Sequence, residues 1–198
     1  MQAVLNFDWA VFRFVQEHLW GPFLDFLMPL ITRLGDAGAI WIITAIVLLF
    51  FKKYRKYGFM MIAGLLFSLI ITDNIIKPVI QRPRPFDLEL WKDIFVYPDY
   101  VKRPHGYSFP SGHTSSSLAA ATVLIFSKKK PVYIPAMILA LLIAFSRIYV
   151  HVHYCTDVLA GLLAGIIYAL LAFLLVEKLI PFIAAKVKGR KNKGKQTA

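Results

Sequence analysis

The 198-residue sequence has one cysteine, few acidic residues and no recognisable secretory leader. The single cysteine, Cys155, excludes an intramolecular disulfide and a cysteine-based metal cluster. Residues 1–19 lack a basic start and are interrupted by Asp8 and Glu17, unlike a signal peptide. We therefore expect the chain to enter a membrane through uncleaved hydrophobic spans.

Basic residues outnumber acidic residues by 23 to 11, which gives a formal net charge of +12. Most of them lie in three segments, at 52–56, at 128–130 and in the tail from Lys178 onward, and each segment flanks an apolar block. Cytoplasmic loops carry such an excess, and anionic lipid headgroups are a sufficient partner for it. We expect membrane lipids as partners and no nucleic acid, and nothing in the sequence indicates an obligate protein partner.

Hydrophobic residues make up 58% of the chain and occur in long blocks, with a mean hydropathy of +0.61. This pattern predicts an all-α, polytopic membrane protein with about six transmembrane helices in one domain, residues 1–185. The expected spans are 8–34, 34–51, 57–76, 114–127, 131–150 and 154–176. Residues 1–34 form a first helix that is kinked or partly interfacial, and the tail 186–198 is predicted to be disordered.

The three basic segments test this path through the membrane. Six alternating spans place all three on one side, which the positive-inside rule makes cytoplasmic, together with both termini. The loop 81–110 then lies outside, is water-exposed and is long enough to act as a lid. We expect a multi-pass protein of the plasma or inner membrane with its active site on the outer side.

Three cations, Lys77, Arg84 and Arg147, lie at span ends on the predicted outer side. Arginine offers a planar fork and lysine a point charge, and both suit phosphate oxygens. A single cation there is better explained as an interfacial anchor. Three together repel one another unless they share an anion, which favours a phosphoryl group.

Residues Pro110-Ser111-Gly112-His113 have the character of a helix start. Serine suits the cap, glycine lets the backbone approach a ligand closely, and the exposed amides form an anion site. Taken alone, the tetrapeptide is weak evidence and is better explained as a plain cap with a histidine in the first turn.

His153 and Asp157 are four residues apart and share one face if they lie on a helix. The carboxylate can accept from one ring nitrogen and leave the other as a nucleophile. Such a pair in isolation is more often structural. His151 competes for the role, but its i+4 neighbour is Cys155, which cannot orient it. Breaking a phosphate ester or anhydride also needs a proton for the leaving oxygen, and His113 on another helix is the candidate donor.

With these three groups of residues, the chain resembles the type-2 phosphatidic acid phosphatase family. That family has a lysine, six residues and Arg-Pro, then Pro-Ser-Gly-His, then Ser-Arg, five residues, His, three residues and Asp. All three parts are present in order with every spacing kept, from Lys77 to Asp157. The resemblance covers about residues 35–178.

The resemblance implies a role for each matching residue. It makes Lys77, Arg84 and Arg147 phosphate ligands, with Ser111 and Gly112 on the same oxygens. It makes His113 the general acid, His153 the nucleophile and Asp157 its orienting partner. The family is metal-independent, so we expect no metal and no other cofactor.

The substrate class that the resemblance implies is a lipid (pyro)phosphate, with undecaprenyl pyrophosphate favoured because an outward-facing site suits recycling of that carrier. Phosphatidylglycerophosphate, phosphatidic acid and lipid A remain alternatives, as does a lipid phosphotransferase. A haloperoxidase is disfavoured because those relatives are soluble. A non-enzymatic lipid-binding protein is disfavoured because the signature is intact.

Overall fold

The computed structural model describes residues 2–88 and 103–181, and within these ranges the chain is helical. The α-helices, in chain order, are α1 (Gln2–His18), α2 (Pro22–Leu34), α3 (Ala39–Phe50), α4 (Arg55–Phe67), α5 (Lys77–Ile80), α6 (Gly112–Ile125), α7 (Lys130–Tyr149) and α8 (Cys155–Leu174). A π-helix, Ser68–Ile76, joins α4 to α5, and a second, Leu175–Leu179, extends α8. Short 3₁₀ turns lie at Asp36–Gly38 and Pro85–Asp87.

The predicted first span, 8–34, is two helices rather than one. Gly21 has an extended backbone with φ 174°, and Pro22 opens α2, so the chain breaks between them. The predicted second span, 34–51, begins with the 3₁₀ turn Asp36–Gly38 and continues as α3. Ala37 and Gly38 take left-handed φ values of 50° and 68°, and the helices on either side of this turn are bent by 48°.

The later spans agree closely with the prediction. Spans 114–127, 131–150 and 154–176 correspond to α6, α7 and α8, and 57–76 corresponds to α4 with its π-helix. In the described ranges, three helical segments are long and apolar enough to cross a membrane, or four if the bent pair of α2 and α3 counts as one span. Six spans therefore stay a prediction. Many large side chains point outward, Phe50 with 79% exposure among them, as a lipid-facing surface requires.

α6 lies at the centre of the bundle and packs most closely against α8. Ten of its 14 residues are buried, including serines and threonines. Gly161 and Gly165 of α8 make this approach possible, because a Cβ at Gly165 would stand 2.7 Å from the Ser115 carbonyl oxygen and one at Gly161 2.8 Å from that of Ser111. Small residues at both surfaces let two helical backbones pack in close contact.

Two contacts define one end of the bundle. Lys56 pairs with Glu177 at 2.5 Å, and the Tyr57 hydroxyl donates to the Phe126 carbonyl oxygen at 3.3 Å. The basic turns at 52–56 and 128–130 and the end of α8 therefore lie together, as the sequence predicts. Which side of the membrane this end faces stays a prediction.

The loop predicted to be water-exposed, 81–110, is buried in part. Arg84 is 3% exposed and Ser108 is fully buried, because the Ser108 amide and hydroxyl bond back to the Arg82 carbonyl oxygen. The predicted lid in its middle and the predicted disordered tail lie outside the described residues, and the single domain 1–185 stays a prediction.

Candidate active site

A cavity of about 510 Å³ opens at the end of the bundle opposite Lys56 and Glu177. Six of the eight predicted site residues line it, and they come from separate segments of the chain. These are Lys77, Arg84, Gly112, His113, Arg147 and His153. The fold thus collects all three predicted cations and both predicted histidines around one space.

Lys77 stands where the π-helix passes into α5, with its ammonium 2.5 Å from Asp73 Oδ1. This is the i,i+4 ion pair that the spacing of the two residues indicates. Gly112 lies directly against the pair, because an added Cβ there would be 3.0 Å from Asp73 Oδ1 and 3.4 Å from Lys77 Nζ. A glycine is therefore needed for the first turn of α6 to approach the lysine.

Arg84 is held by backbone oxygens and reaches the nucleophile candidate. Its Nε donates to the Gly106 carbonyl oxygen at 2.8 Å and its Nη1 to that of Val152 at 2.9 Å. Nη1 also lies 3.3 Å from His153 Nε2. Since a guanidinium can only donate, this contact requires Nε2 to be the acceptor and places the ring proton of a neutral His153 on Nδ1.

His153 does not lie on one helix with Asp157, so the condition for a shared helix face is not met. It belongs to the turn before α8, which begins at Cys155, and Asp157 lies in the first turn of that helix. His153 Nδ1 is 3.4 Å from Asp157 Oδ2 and has no hydrogen-bond partner among the described residues. Such contacts are often long before a substrate binds and tighten with it.

The electrostatics of this turn keep the imidazole of His153 neutral. Burial lowers its pKa well below the ordinary value, and the nearby Arg147 and Arg84 lower it further. A neutral ring with an acceptor nitrogen facing the cavity is the form that can attack phosphorus.

His151, the competing histidine, faces away from the cavity. Its backbone is left-handed, with φ 52°, and its ring packs against Phe12 at 5.0 Å and Trp20 at 5.3 Å between centroids. Burial lowers its pKa to about 3. The structure therefore places His153, and not His151, beside the cations.

His113 is the second residue of α6 and contacts a carboxylate that the sequence analysis did not select. Its Nε2 lies 2.9 Å from Oδ1 of Asp36, in the 3₁₀ turn between α2 and α3. Gly35 makes room for the ring, since a Cβ there would be 2.8 Å from His113 Cδ2 and 2.9 Å from Ile143 Cγ2. The turn that bends the second span thus also forms one wall of the site.

A second cavity, of about 340 Å³, adjoins the first. His113 and Arg147 line both cavities. Arg33 and Arg103 line the second cavity but not the first. Arg147 is anchored at the boundary, where its Nη1 donates to Thr32 Oγ1 at 2.5 Å. Next to His113 there is therefore further space, lined by three arginines and by Asp36.

The two remaining predicted residues, Ser111 and Asp157, lie behind the cavity wall. The Ser111 hydroxyl accepts from the Thr114 amide at 3.4 Å and the Thr114 hydroxyl at 2.9 Å, as an N-cap does. Its amide donates to the Asp157 carbonyl oxygen at 3.1 Å. Ser111 therefore joins the starts of α6 and α8, and its role as a phosphate ligand stays a prediction.

Three polar residues near the site escaped the sequence analysis: Asp8, Asp36 and Arg82. The sequence did contain a signal for these residues, because a charged residue inside or beside an apolar span is energetically unfavourable and needs a partner. Asp8 interrupts the amphipathic stretch of α1, and Asp36 lies between two glycines of an apolar block. The partners themselves could not be read from the sequence.

Within residues 2–88 and 103–181, no group of three or more His, Cys, Asp or Glu side chains is arranged to hold a metal ion. The expected metal independence stays a prediction, and the activity assay proposed below tests it directly.

Residues 53–181 match the model of the PAP2 superfamily. The chain belongs to this superfamily. The resemblance carried by the signature at Lys77–Asp157 is thereby confirmed.

The all-helical membrane fold agrees with solved PAP2 structures. A PAP2-type phosphatidylglycerolphosphate phosphatase from Bacillus subtilis matches with a TM-score of 0.71 and 27% identity, over 90% of this chain and 88% of that one. LpxE from Aquifex aeolicus matches with a TM-score of 0.68 and 26% identity, over 83% and 93%.

Similar sequences carry several phosphatase names. An undecaprenyl-diphosphatase of Sulfolobus acidocaldarius is 33% identical over 70% of this chain and 64% of its own length. A lipid A 4'-phosphatase of Porphyromonas gingivalis is 36% identical over 71% and 61%. The undecaprenyl-diphosphatase BcrC of Bacillus subtilis is 34% identical over 83% and 81%. The chain thus spans less than two thirds of the first two relatives, and their names support the predicted lipid phosphate hydrolase without fixing its substrate.

Proposed function

We propose that this protein is a membrane lipid phosphatase that hydrolyses a lipid diphosphate, with undecaprenyl pyrophosphate the favoured substrate, through a phosphohistidine on His153. The observation that carries the proposal is the meeting of three cations and two histidines around one 510 Å³ cavity. A phosphoryl group supplies the negative charge that three converging cations need. The phosphatase names of the relatives support the same class of reaction.

The geometry supports a two-step reaction. In the first step, Nε2 of His153 forms a bond to phosphorus while the bond to the leaving oxygen breaks, and His113 gives that oxygen a proton. In the second step, water attacks phosphorus, the N–P bond breaks, and His113 takes up the proton of the water. Lys77, Arg84 and Arg147 stabilise charge on the oxygens that do not react.

The adjoining cavity favours a diphosphate over a monoester. Its lining includes His113, the proposed proton donor, together with Arg33 and Arg103. These arginines suit the second phosphate of a diphosphate, which leaves with the lipid chain, whereas a monoester has no second phosphate for them to bind. Phosphatidylglycerophosphate, phosphatidic acid and lipid A are the alternative substrates.

The test is phosphate release by the full chain, purified in detergent, from a panel that includes undecaprenyl pyrophosphate, phosphatidylglycerophosphate and phosphatidic acid. We expect the highest kcat/KM on the diphosphate, no loss in EDTA, and inhibition by vanadate, which mimics pentacoordinate phosphorus. Faster release from a monoester would identify that monoester, and not the diphosphate, as the preferred substrate. Phosphate that appears on an acceptor lipid instead of in solution would establish a phosphotransferase.

The nucleophile is tested separately. His153→Ala should abolish release while the thermal unfolding midpoint stays within a few degrees of wild type. A ³²P-labelled substrate should label the wild-type protein in an acid-labile and base-stable form, and should not label His153→Ala. The matched control is His151→Ala, which alters a buried histidine of the same turn and should retain labelling. A His153→Ala protein with near-wild-type turnover would refute the assignment.

A further inference from the structure

Arg82 bridges two buried carboxylates that come from opposite ends of the sequence. Its Nη1 lies 2.5 Å from Asp157 Oδ1 and its Nη2 lies 2.7 Å from Asp8 Oδ2. Neither carboxylate side chain is exposed, and the Arg82 side chain is 16% exposed. The signature found in the sequence includes neither Asp8 nor Arg82, and Asp8 lies outside the matched residues 53–181.

Asp8 is fully committed to this junction. Besides Arg82, it accepts from the Thr156 amide at 2.9 Å and from the Thr156 hydroxyl at 2.8 Å. Three donors compensate the burial of its charge, which would otherwise be costly. Through these bonds α1 is fixed to the first turn of α8, immediately beside Asp157.

Arg82 is held rigidly in the bridging position. Its guanidinium lies 3.8 Å from the centre of the Tyr154 ring, and Nη1 also donates to the Thr156 hydroxyl at 2.7 Å. A planar fork that stacks on a ring and donates to two carboxylates has little freedom to turn. A lysine at this position would offer one point charge and could not span both partners in the same way.

The Arg82 bridge constrains the carboxylate of Asp157, which lies beside the nucleophile candidate His153. Arg82 occupies Oδ1 of Asp157, and the Tyr154 amide donates to Oδ2 at 3.1 Å. These two donors fix the plane of the carboxylate, and Oδ2 is thereby the oxygen that faces His153 Nδ1 at 3.4 Å. Without Arg82 the carboxylate would lose its cationic partner and the donor to Oδ1, and its plane would be less firmly fixed.

We propose that Asp8 and Arg82 are positioning residues, which act through Asp157 to orient His153. The first helix is then part of the working site and not only a peripheral anchor. This inference rests on the proposed nucleophilic role of His153.

The test compares Asp8→Asn and Arg82→Lys with Asp25→Asn in the full chain, with phosphate release from the best substrate of the panel as the assay. Asp25 is the matched control, because it also ties the N-terminal helices to the bundle, but through the Tyr149 hydroxyl at the end of α7, at 2.5 Å. We expect kcat to fall about ten- to a hundredfold in the first two variants, as displacement of reacting groups by about 1 Å does. KM should stay within about threefold, since Lys77, Arg84 and Arg147 are unchanged.

A double-mutant cycle separates positioning from a purely structural role. If Asp8 acts through Asp157, then Asp8→Asn should cost almost nothing further in an Asp157→Asn background. Equal losses in both backgrounds would overturn the proposal, as would wild-type kcat in Asp8→Asn and Arg82→Lys. Failure of both variants to fold, judged by gel filtration and thermal unfolding, would assign the bridge to the fold and overturn it as well. Because His153→Ala is measured in parallel, an active His153→Ala protein refutes the nucleophile instead.

Discussion

The Nε2 of His113 lies 2.9 Å from the Oδ1 of Asp36, so the second histidine of the site, like the first, has a carboxylate beside it. The two pairs differ in their surroundings. Asp157 is buried, whereas the Asp36 side chain is 63% exposed at the mouth of the second cavity. The site thus combines a sealed His–Asp pair at His153 with an open pair at His113.

We predict that Asp36→Asn slows turnover most for substrates with poor leaving groups. A general acid contributes about 10²–10⁴-fold to such reactions, and loss of its carboxylate partner should remove part of that. The measurement is kcat for a long-chain alkyl monophosphate against an aryl phosphate, whose leaving oxygen needs less protonation. His113→Ala should show the same pattern with a larger loss. An equal fall on both substrates would contradict a role in proton donation.

Gly35→Ala should reduce activity without unfolding the protein. The backbone at Gly35 is right-handed, with φ −84°, so alanine fits its conformation, but the new methyl group would stand 2.8 Å from His113 Cδ2. A displaced histidine is expected to lower kcat by up to about a hundredfold. Gly21→Ala is the control, because nothing lies within 4 Å of a Cβ there. Equal activity of the two variants would show that His113 tolerates the shift.

The pH dependence of kcat/KM should show an acid limb below pH 6.5. Burial and two arginines lower the pKa of His153 below its ordinary value of 6.5, so the neutral ring persists as the pH falls through that value. Stability starts to fall at a higher pH than activity does: the unfolded chain takes up a proton on this histidine below about pH 6.5 and the folded chain does not, so unfolding becomes easier in acid. A pH series of initial rates and unfolding midpoints in detergent measures both. An acid limb at or above pH 6.5 would contradict a depressed pKa.

Gly165→Ala should destabilise the bundle with little direct effect on the site. Its Cβ would lie 2.7 Å from the Ser115 carbonyl oxygen, a backbone atom of α6 that cannot move alone. Overpacking of this kind costs about 1–3 kcal/mol, which lowers the thermal unfolding midpoint. The protein that stays folded should keep its KM. An unchanged midpoint would mean that α6 and α8 can separate at no cost.

The sequence predicted the helical membrane fold and the family because both depend on short-range patterns. Apolar blocks define the later helices, and the signature spacing brings Lys77, His113 and His153 to the same ends of those helices. The errors have local causes. Left-handed residues at Ala37 and Gly38 bend the second span, and a left-handed His151 holds His153 in a turn ahead of α8.

What the sequence could not provide were the long-range partners. Asp8 and Arg82 are 74 residues apart, and no spacing rule connects them. The pairing of Asp36 with His113 depends on a turn whose direction is set by packing. Such contacts are fixed by the tertiary structure, and they turn a set of signature spacings into an oriented arrangement of side chains.

The position of α6 has a consequence for biogenesis. This helix has 14 residues, carries several hydroxyl groups, and is surrounded by its neighbours. A segment so short and polar gains little by entering lipid alone, because its hydroxyl groups would lose water without gaining partners. Insertion of α6 should therefore depend on helices synthesised after it, and above all on α8, which packs against α6 at its two glycines. The segment that carries His113 would be among the last to settle in the bilayer, so that the site is complete only after α8 has been made.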